Sequence, residues 1–246
     1  MNNALQDLVL AGVKWELTDT SVGFMEMVSA PGPTVARTRT ASVVPPVSPA
    51  SPMDIETATA MALRPTTMDA LSRMILEFNH PLKGGVTNTV LPMVASNPNG
   101  LVVIPDIPSS DDDAAGQILT GAAGELLDKM LAAIGMSRET VSIVPLMFWR
   151  TPGGRTPTRI ELDLARPFVN RAIELLEPRV ILTLGSLAAL EIAGVDLMKN
   201  HGTEVTLPND IHVFPIYHPN YLILKPGAKA AVWTVLQNVQ KLLKIA

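Results

Sequence analysis

Residues 180–186 read VILTLGS, a run of five apolar or β-branched residues followed by glycine and serine. Such a run is typical of a central strand in a parallel sheet, because helices cover both faces of that kind of sheet. Gly185 ends the strand, and Ser186 caps a helix that extends to about Ile192. The stretch therefore predicts one strand–turn–helix unit of an α/β fold.

The same alternation continues on both sides of this unit. Further apolar runs predict strands at 101–104, 141–147 and 211–216, and helical periodicity predicts helices at 67–79, 124–134, 161–176 and 228–243. Strands that alternate with helices pair in parallel, with helices on both faces. We therefore predict an α/β fold, a three-layer αβα sandwich around a mainly parallel four-stranded sheet.

The N-terminal quarter differs in composition from the rest. Residues 4–14 predict a short amphipathic helix within an N-terminal segment at 1–29, and residues 30–66 hold seven prolines among Ser, Thr and Ala. The second stretch is typical of an extended linker. We assign residues 67–246 to the compact domain. The linker is a candidate docking segment for a repair or replication protein.

Composition restricts the chemistry. The 246-residue chain has no cysteine, which excludes disulfides, thiolate catalysis and Cys-ligated metal centres. A net charge of −4 argues against a generally basic nucleic-acid coat protein but allows a local basic groove. The sequence shows neither a secretory signal nor an apolar run of bilayer length. We expect a cytoplasmic, monomeric protein.

Parallel sheets bind ligands beyond the carboxyl ends of their strands. Asp106 lies in the segment that follows the first predicted strand. It is a candidate for activating water or stabilising a cation, or alternatively a cap for the loop. The aspartates of this segment at 111–113 predict a solvated turn rather than a metal site, since consecutive residues rarely converge on one ion.

His218 lies in the segment that follows the last predicted strand, at 211–216, and it precedes a proline. A neutral imidazole there can donate a hydrogen bond and stabilise developing negative charge, although a purely structural role stays open. His80, His201 and His212 share no ligand spacing with it, so no metal site is predicted.

Two other segments favour anions. Arg150 and Arg155 flank a loop stiffened by prolines, which suits phosphate groups. Gly185 and Ser186 place backbone amides at a helix N-terminus.

Together these segments resemble the family 4 uracil-DNA glycosylases, from about residue 67 to about residue 243. The resemblance is carried by PDIPS at 105–109, AGELLD at 123–128, RTPGGRTPT at 150–158, LG at 184–185 and HPNYL at 218–222. It implies DNA as the partner and excision of uracil, or a related base, that is flipped out of the strand in base excision repair.

The resemblance also implies roles for single residues. Asp106 replaces the family's catalytic Glu and orients water, while His218 supports charge on the departing base. Leu119 and Pro145 take the base-binding positions of a Phe and an Asn. The residues implied to contact DNA are Arg150, Arg155, Gly185 and Ser186 along a groove and Leu222 as a wedge in the base stack.

The family's iron–sulfur cysteines correspond to His80, Trp149 and Ala165, so we expect no cluster and no other cofactor. Leu119 and Pro145 favour a second hypothesis, a DNA-binding relative without catalysis that acts as an interaction module. A third is that only the fold is shared and that another small molecule occupies the crevice.

Overall fold

A computed structural model describes residues 52–244. Within that range the α-helices are α1 (Pro52–Leu63), α2 (Met68–Glu77), α3 (Ser110–Ala115), α4 (Gly121–Ala133), α5 (Arg159–Leu176), α6 (Ser186–Ala193), α7 (Leu197–Asn200), α8 (Pro219–Leu224) and α9 (Lys229–Lys244). The strands are β1 (Leu101–Pro105), β2 (Ser142–Ile143), β3 (Val180–Leu184), β4 (Val205–Leu207) and β5 (Ile211–Ile216). Short 3₁₀ turns lie at Lys83–Gly85, Pro152–Gly154, Pro208–Asp210 and Pro226–Ala228. None of the helices within the described range is long and apolar enough to cross a membrane.

The strands form one sheet in the order β2-β1-β3-β5-β4. All neighbours pair in parallel except β4, which pairs antiparallel with β5. The predicted α/β sandwich is confirmed, with one strand more than the four expected. The extra strand β4 has only three residues and turns into β5 through Asn209 and Asp210, both with positive φ. So short a hairpin leaves little periodic signal in the sequence.

The strand predicted at 141–147 is shorter than expected, because β2 ends at Ile143. Beyond it, the amides of Val144 and Leu146 still donate to the carbonyls of Val103 and Pro105. Pro105 has no amide hydrogen with which to return a bond, so the ladder cannot continue. The chain therefore runs beside the end of β1 without forming a regular strand.

Both faces of the sheet are covered. Val102 and Ile104 of β1 belong to a core cluster with buried residues of α1, α2, α5 and α6. Leu101 and Val103, on the opposite face, belong to a second cluster with residues of α4, α8 and α9. This alternation buries every residue of β1, as a central parallel strand requires.

The predicted boundary at residue 67 is wrong for part of the linker. Residues 52–63 form helix α1, whose Ala58 and Ala62 are buried in the core cluster that includes α5. The many prolines suggested an extended chain. However, Pro52 stands at the first helical position, which tolerates proline, and the residues after it favour helix. The predictions for 1–29 and for 30–51 lie outside the described residues.

An aromatic cluster joins α2, α5 and the segment after β2. It consists of Phe78, His80, Trp149 and Phe168, in which the rings of His80 and Trp149 stack at 4.2 Å and 6°. The Nδ1 atom of His80 accepts a hydrogen bond from the Leu82 amide, so Nε2 carries the proton and donates to the Glu161 carbonyl at 3.0 Å. Burial lowers the pKa of His80 to about 4, which keeps the ring neutral at pH 7.

We expect Trp149→Ala to lower the free energy of unfolding by about 3–5 kcal/mol, because the indole is fully buried in this cluster. Trp233→Ala is the matched control, since Trp233 is 41% exposed, and its loss should cost about 1 kcal/mol or less. Urea titrations followed by circular dichroism measure both. Equal midpoints for the two variants would contradict the assigned role of the cluster.

Candidate functional site

Three neighbouring strands end at the same level. Pro105 of β1 lies opposite Leu184 of β3, which lies opposite Ile216 of β5. Asp106 directly follows the first of these strands, and His218 follows the last by two residues. Because neighbouring strands lie about 4.8 Å apart, β1 and β5 are about 10 Å apart across β3. The two predicted catalytic residues therefore lie at the same sheet edge, on either side of the end of β3.

The carboxylate of Asp106 is held at the start of helix α6. Its Oδ1 atom accepts a hydrogen bond of 2.6 Å from the Ala188 amide. A Cβ atom at Gly185, the residue before the helix, would overlap the Asp106 carboxyl group. Asp106 thus caps α6 in place of its own N-cap residue, which has no side chain. Asp106 therefore does act as a cap, for helix α6, and this contact fixes the orientation of its carboxylate.

Burial raises the pKa of Asp106 to about 6, although hydrogen bonds from the amides of Ala188 and Leu187 oppose this shift. The carboxylate is therefore ionised at pH 7 but binds a proton more readily than an exposed aspartate. A group with this property, fixed at the carboxyl end of the sheet, is suited to polarising a water molecule.

His218 caps the next helix of the edge, α8. Its Nδ1 atom accepts a hydrogen bond of 3.2 Å from the Asn220 amide, so the proton of the neutral ring lies on Nε2. Burial lowers the pKa of His218 to about 4, against an opposing effect of the Asp112 carboxylate. At pH 7 His218 is a neutral hydrogen-bond donor.

Of the acidic residues at 111–113, Asp111 is exposed as predicted, but Asp112 and Asp113 are not solvated. Asp112 is buried and accepts hydrogen bonds from the Ser109 amide and from the amide and hydroxyl of Thr120. Asp113 is also buried and accepts from the amides of Thr87 and Asn88. Both carboxylates hold the loop after β1 in place. The spacing of Ser109 and Asp112, which form a capping box, was the available signal.

The two predicted base-binding residues are buried. Leu119 is part of the core, has φ of 54°, and its carbonyl accepts a 2.7 Å hydrogen bond from Arg138. Pro145 lies in the segment beside the end of β1. Pro145 is next to Leu146, whose amide donates to the carbonyl of Pro105, the residue before Asp106. Leu119 is next to Thr120, which donates hydrogen bonds to the Asp112 carboxylate. Neither side chain offers a hydrogen-bonding atom.

The two arginines of the basic loop have different surroundings. Arg155 forms a bidentate ion pair of 2.8 and 2.6 Å with the buried carboxylate of Glu161. Burial acts to raise the pKa of Glu161, but this pair and the hydrogen bonds from Thr158 together lower it to about 2. Arg150 is half-buried and makes no ion pair with any residue between 52 and 244. Arg150 is therefore the arginine available to a phosphate.

The helix N-terminus at Gly185 and Ser186 is less available than expected. The Gly185 amide donates to the Ile216 carbonyl at 2.9 Å, and the Ala188 amide is used by Asp106. An anion approaching this helix would compete with the Asp106 carboxylate. The side chain of Ser186 is exposed.

Leu222 cannot act as the predicted wedge in the folded domain, because it is 1% exposed. It follows Pro219 by three residues on α8, so both lie on the buried face of that helix. Its neighbours Tyr221, Ile223 and Leu224 are 39%, 42% and 76% exposed. Together with Asn220, these neighbours are the exposed side chains of α8.

The residues present do not fit an iron–sulfur cluster. Of the three positions corresponding to cysteine ligands, His80 and Trp149 stack in the aromatic cluster and Ala165 is buried one turn after Glu161. No side chain there is a thiol. Within residues 52–244, no group of three or more His, Asp or Glu side chains is placed to hold a metal ion.

Comparison with known proteins gives the ancestry of this arrangement. The model of the Uracil DNA glycosylase superfamily matches residues 95–240, which include the predicted catalytic, base-binding and DNA-contacting residues from Asp106 to Leu222. The chain is 34% identical over 149 residues to the "Type-4 uracil-DNA glycosylase" of Archaeoglobus fulgidus, covering 57% of this chain and 74% of that protein. It is 31% identical over 144 residues to the protein of the same name from Thermotoga maritima, again with 57% and 74% covered.

A phage protein matches as well. The "DNA polymerase" of Bacillus phage SP01 is 24% identical over 127 residues, covering 51% of this chain and 14% of the polymerase. The similarity is therefore to one segment of that larger protein.

We expect the imidazole of His218 to stay neutral until the pH falls to about 4, because burial disfavours its charged form. An NMR titration of histidine Cε1–H signals measures this, with the signal assigned by its loss in His218→Gln. A midpoint near 6.5, the value for an exposed histidine, would show that His218 is not enclosed as described.

Proposed function

The chain belongs to the uracil-DNA glycosylase superfamily, and on this premise we propose that it hydrolyses the N-glycosidic bond of uracil, or a related base, flipped out of DNA. The observation that supports this is the pairing of Asp106 and His218 at one sheet edge. One is a fixed carboxylate with a raised pKa, and the other is a neutral imidazole with its proton on Nε2.

In the proposed reaction the Asp106 carboxylate orients a water molecule toward C1′ of the deoxyribose and accepts its proton. The water oxygen bonds to C1′ as the bond from C1′ to the base nitrogen breaks, and the electron pair of that bond leaves with the base. The Nε2–H of His218 donates to a carbonyl oxygen of the base, where negative charge accumulates. The products are the free base and an abasic site.

The proposed DNA contacts follow the exposed groups. Arg150 binds a backbone phosphate, and exposed Leu224 on α8 replaces Leu222 as the apolar side chain that fills the gap left by the flipped nucleotide. Leu119 and Pro145 offer no polar contact to the base edge, and loss of a bidentate amide contact forfeits about 1–3 kcal/mol of discrimination. We therefore propose a broad base preference.

We expect Asp106→Asn to slow uracil excision at least about 100-fold, because the amide cannot accept the proton while it can still accept the bond from Ala188. Excision by the unaltered chain should increase as the pH rises through about 6, where Asp106 ionises. Labelled single- and double-stranded oligonucleotides containing uracil, treated with alkali, reveal abasic sites. Asp69→Asn, at an exposed position in the first turn of α2, is the matched control.

The same assay separates the alternatives. Salt-sensitive binding of the oligonucleotides without strand cleavage would support the interaction module that has lost catalysis. Neither binding nor cleavage would leave the crevice to a different small molecule.

We expect Arg150→Ala to weaken DNA binding and to lower the slope of log K against log salt concentration by about one, as the loss of one phosphate contact does. Arg155→Ala should leave that slope unchanged and lower the melting temperature, because the buried Glu161 carboxylate loses its partner. Fluorescence anisotropy at several salt concentrations measures the slopes. If Arg155→Ala lowered the slope and Arg150→Ala left it unchanged, the role given to Arg150 would be overturned.

A further inference from the structure

Three aromatic rings form a row beside the proposed active site. The ring centroids of His201 and Tyr217 are 4.1 Å apart with 24° between the planes. Those of Tyr217 and Tyr221 are 4.8 Å apart with 36° between the planes. Tyr217 contacts both other rings, whereas His201 and Tyr221 make no ring contact with each other, so Tyr217 is the middle member.

The row is closed at one end and open at the other. The Nε2 atom of His201 is buried and has no hydrogen-bond partner within residues 52–244. Tyr217 is half-buried, and Tyr221 is 39% exposed. Among the described residues, Tyr217 is the only aromatic ring on Tyr221. The exposed part of the Tyr221 ring is therefore accessible to a further planar group.

The position of the row relates it to the catalytic residues. His218 lies between Tyr217 and Tyr221 in the sequence, and the Tyr221 amide donates to the His218 carbonyl at 2.9 Å. The row is thus fixed to the same turn that holds the imidazole. Tyr217 and Tyr221 follow β5, whereas Asp106 follows β1 on the other side of β3.

The surface next to Tyr221 suits a polyanion. The Lys225 amide donates to the Tyr221 carbonyl at 2.8 Å, and the exposed side chain of Lys225 makes no ion pair with any residue that the structure describes. A planar group stacked on Tyr221 would therefore lie about one helical turn from a cation that no acidic side chain among the described residues neutralises. A nucleobase joined to phosphates has both of these features.

We propose that the exposed part of the Tyr221 ring stacks an unpaired nucleobase of the DNA strand that carries the flipped nucleotide, and that Lys225 binds an adjoining phosphate. This inference rests on the proposed function and adds a second subsite to it. Tyr217 holds the plane of Tyr221, so little conformational freedom is lost on binding. Stacking on an aromatic ring is tolerant of sequence and requires a base that is free of its neighbours. The subsite therefore favours single-stranded over double-stranded DNA.

A fluorescent base tests this subsite with the full chain. The probe is a single-stranded oligonucleotide with a tetrahydrofuran abasic analogue, which cannot be cleaved, and 2-aminopurine on one side of it or on the other. We expect the unaltered protein to quench 2-aminopurine at one of the two positions. Tyr221→Ala should abolish that quenching and weaken binding of the single strand about tenfold. Tyr221→Phe should retain both properties.

Ile223→Ala is the matched control, because Ile223 is similarly exposed on the same helix and outside the row. Melting temperatures of all variants establish that they are folded. If the protein binds the probe and Tyr221→Ala quenches and binds as the unaltered protein does, the stacking subsite is overturned while the proposed function stands. If the unaltered protein binds no DNA, both are overturned.

Discussion

The site depends on the close approach of the carboxylate that follows one strand to the glycine that follows the neighbouring strand. Asp106 occupies the space that a side chain at Gly185 would fill, and it caps the helix that Gly185 begins. This contact orients the carboxylate, supplies the amides that oppose its raised pKa, and joins β1 to the start of α6. Any larger residue at 185 would both displace the carboxylate and take an unfavourable positive φ. Fold and proposed chemistry therefore have the same requirement at this point.

A second set of contacts joins the loops around that carboxylate. Asp112 binds Ser109 and Thr120, which connects the loop after β1 to the beginning of α4. The same carboxylate acts electrostatically on His218, at the beginning of α8. A buried carboxylate of the loop after β1 thus acts on the imidazole that follows β5. Such buried carboxylates stay in place only because their oxygens are hydrogen-bonded.

The sequence was sufficient to predict the features that follow from hydrophobic periodicity and from position along a strand. The runs at 101–104, 180–184 and 211–216 predicted the central strands, and their ends predicted where Asp106 and His218 lie. The sequence was insufficient to predict whether a side chain faces the core or the solvent where both orientations are possible. Leu222 faces the core because of its phase on α8, which composition does not indicate. The engagement of Arg155 with Glu161 depends on the exact start of α5, and α1 was hidden by the prolines around it.

The chain contains two aromatic arrangements with similar geometry and opposite exposure. His80 and Trp149 stack within a closed cluster, where both rings are buried and the imidazole is hydrogen-bonded at both nitrogens. In the other arrangement, His201, Tyr217 and Tyr221 stack in a row and the outer ring, Tyr221, is 39% exposed. Stacking alone does not distinguish a structural role from a binding role. The accessible face does, because a ring that is already covered on both sides contributes to stability only, whereas an uncovered ring held by its neighbour costs little to bind a further planar group.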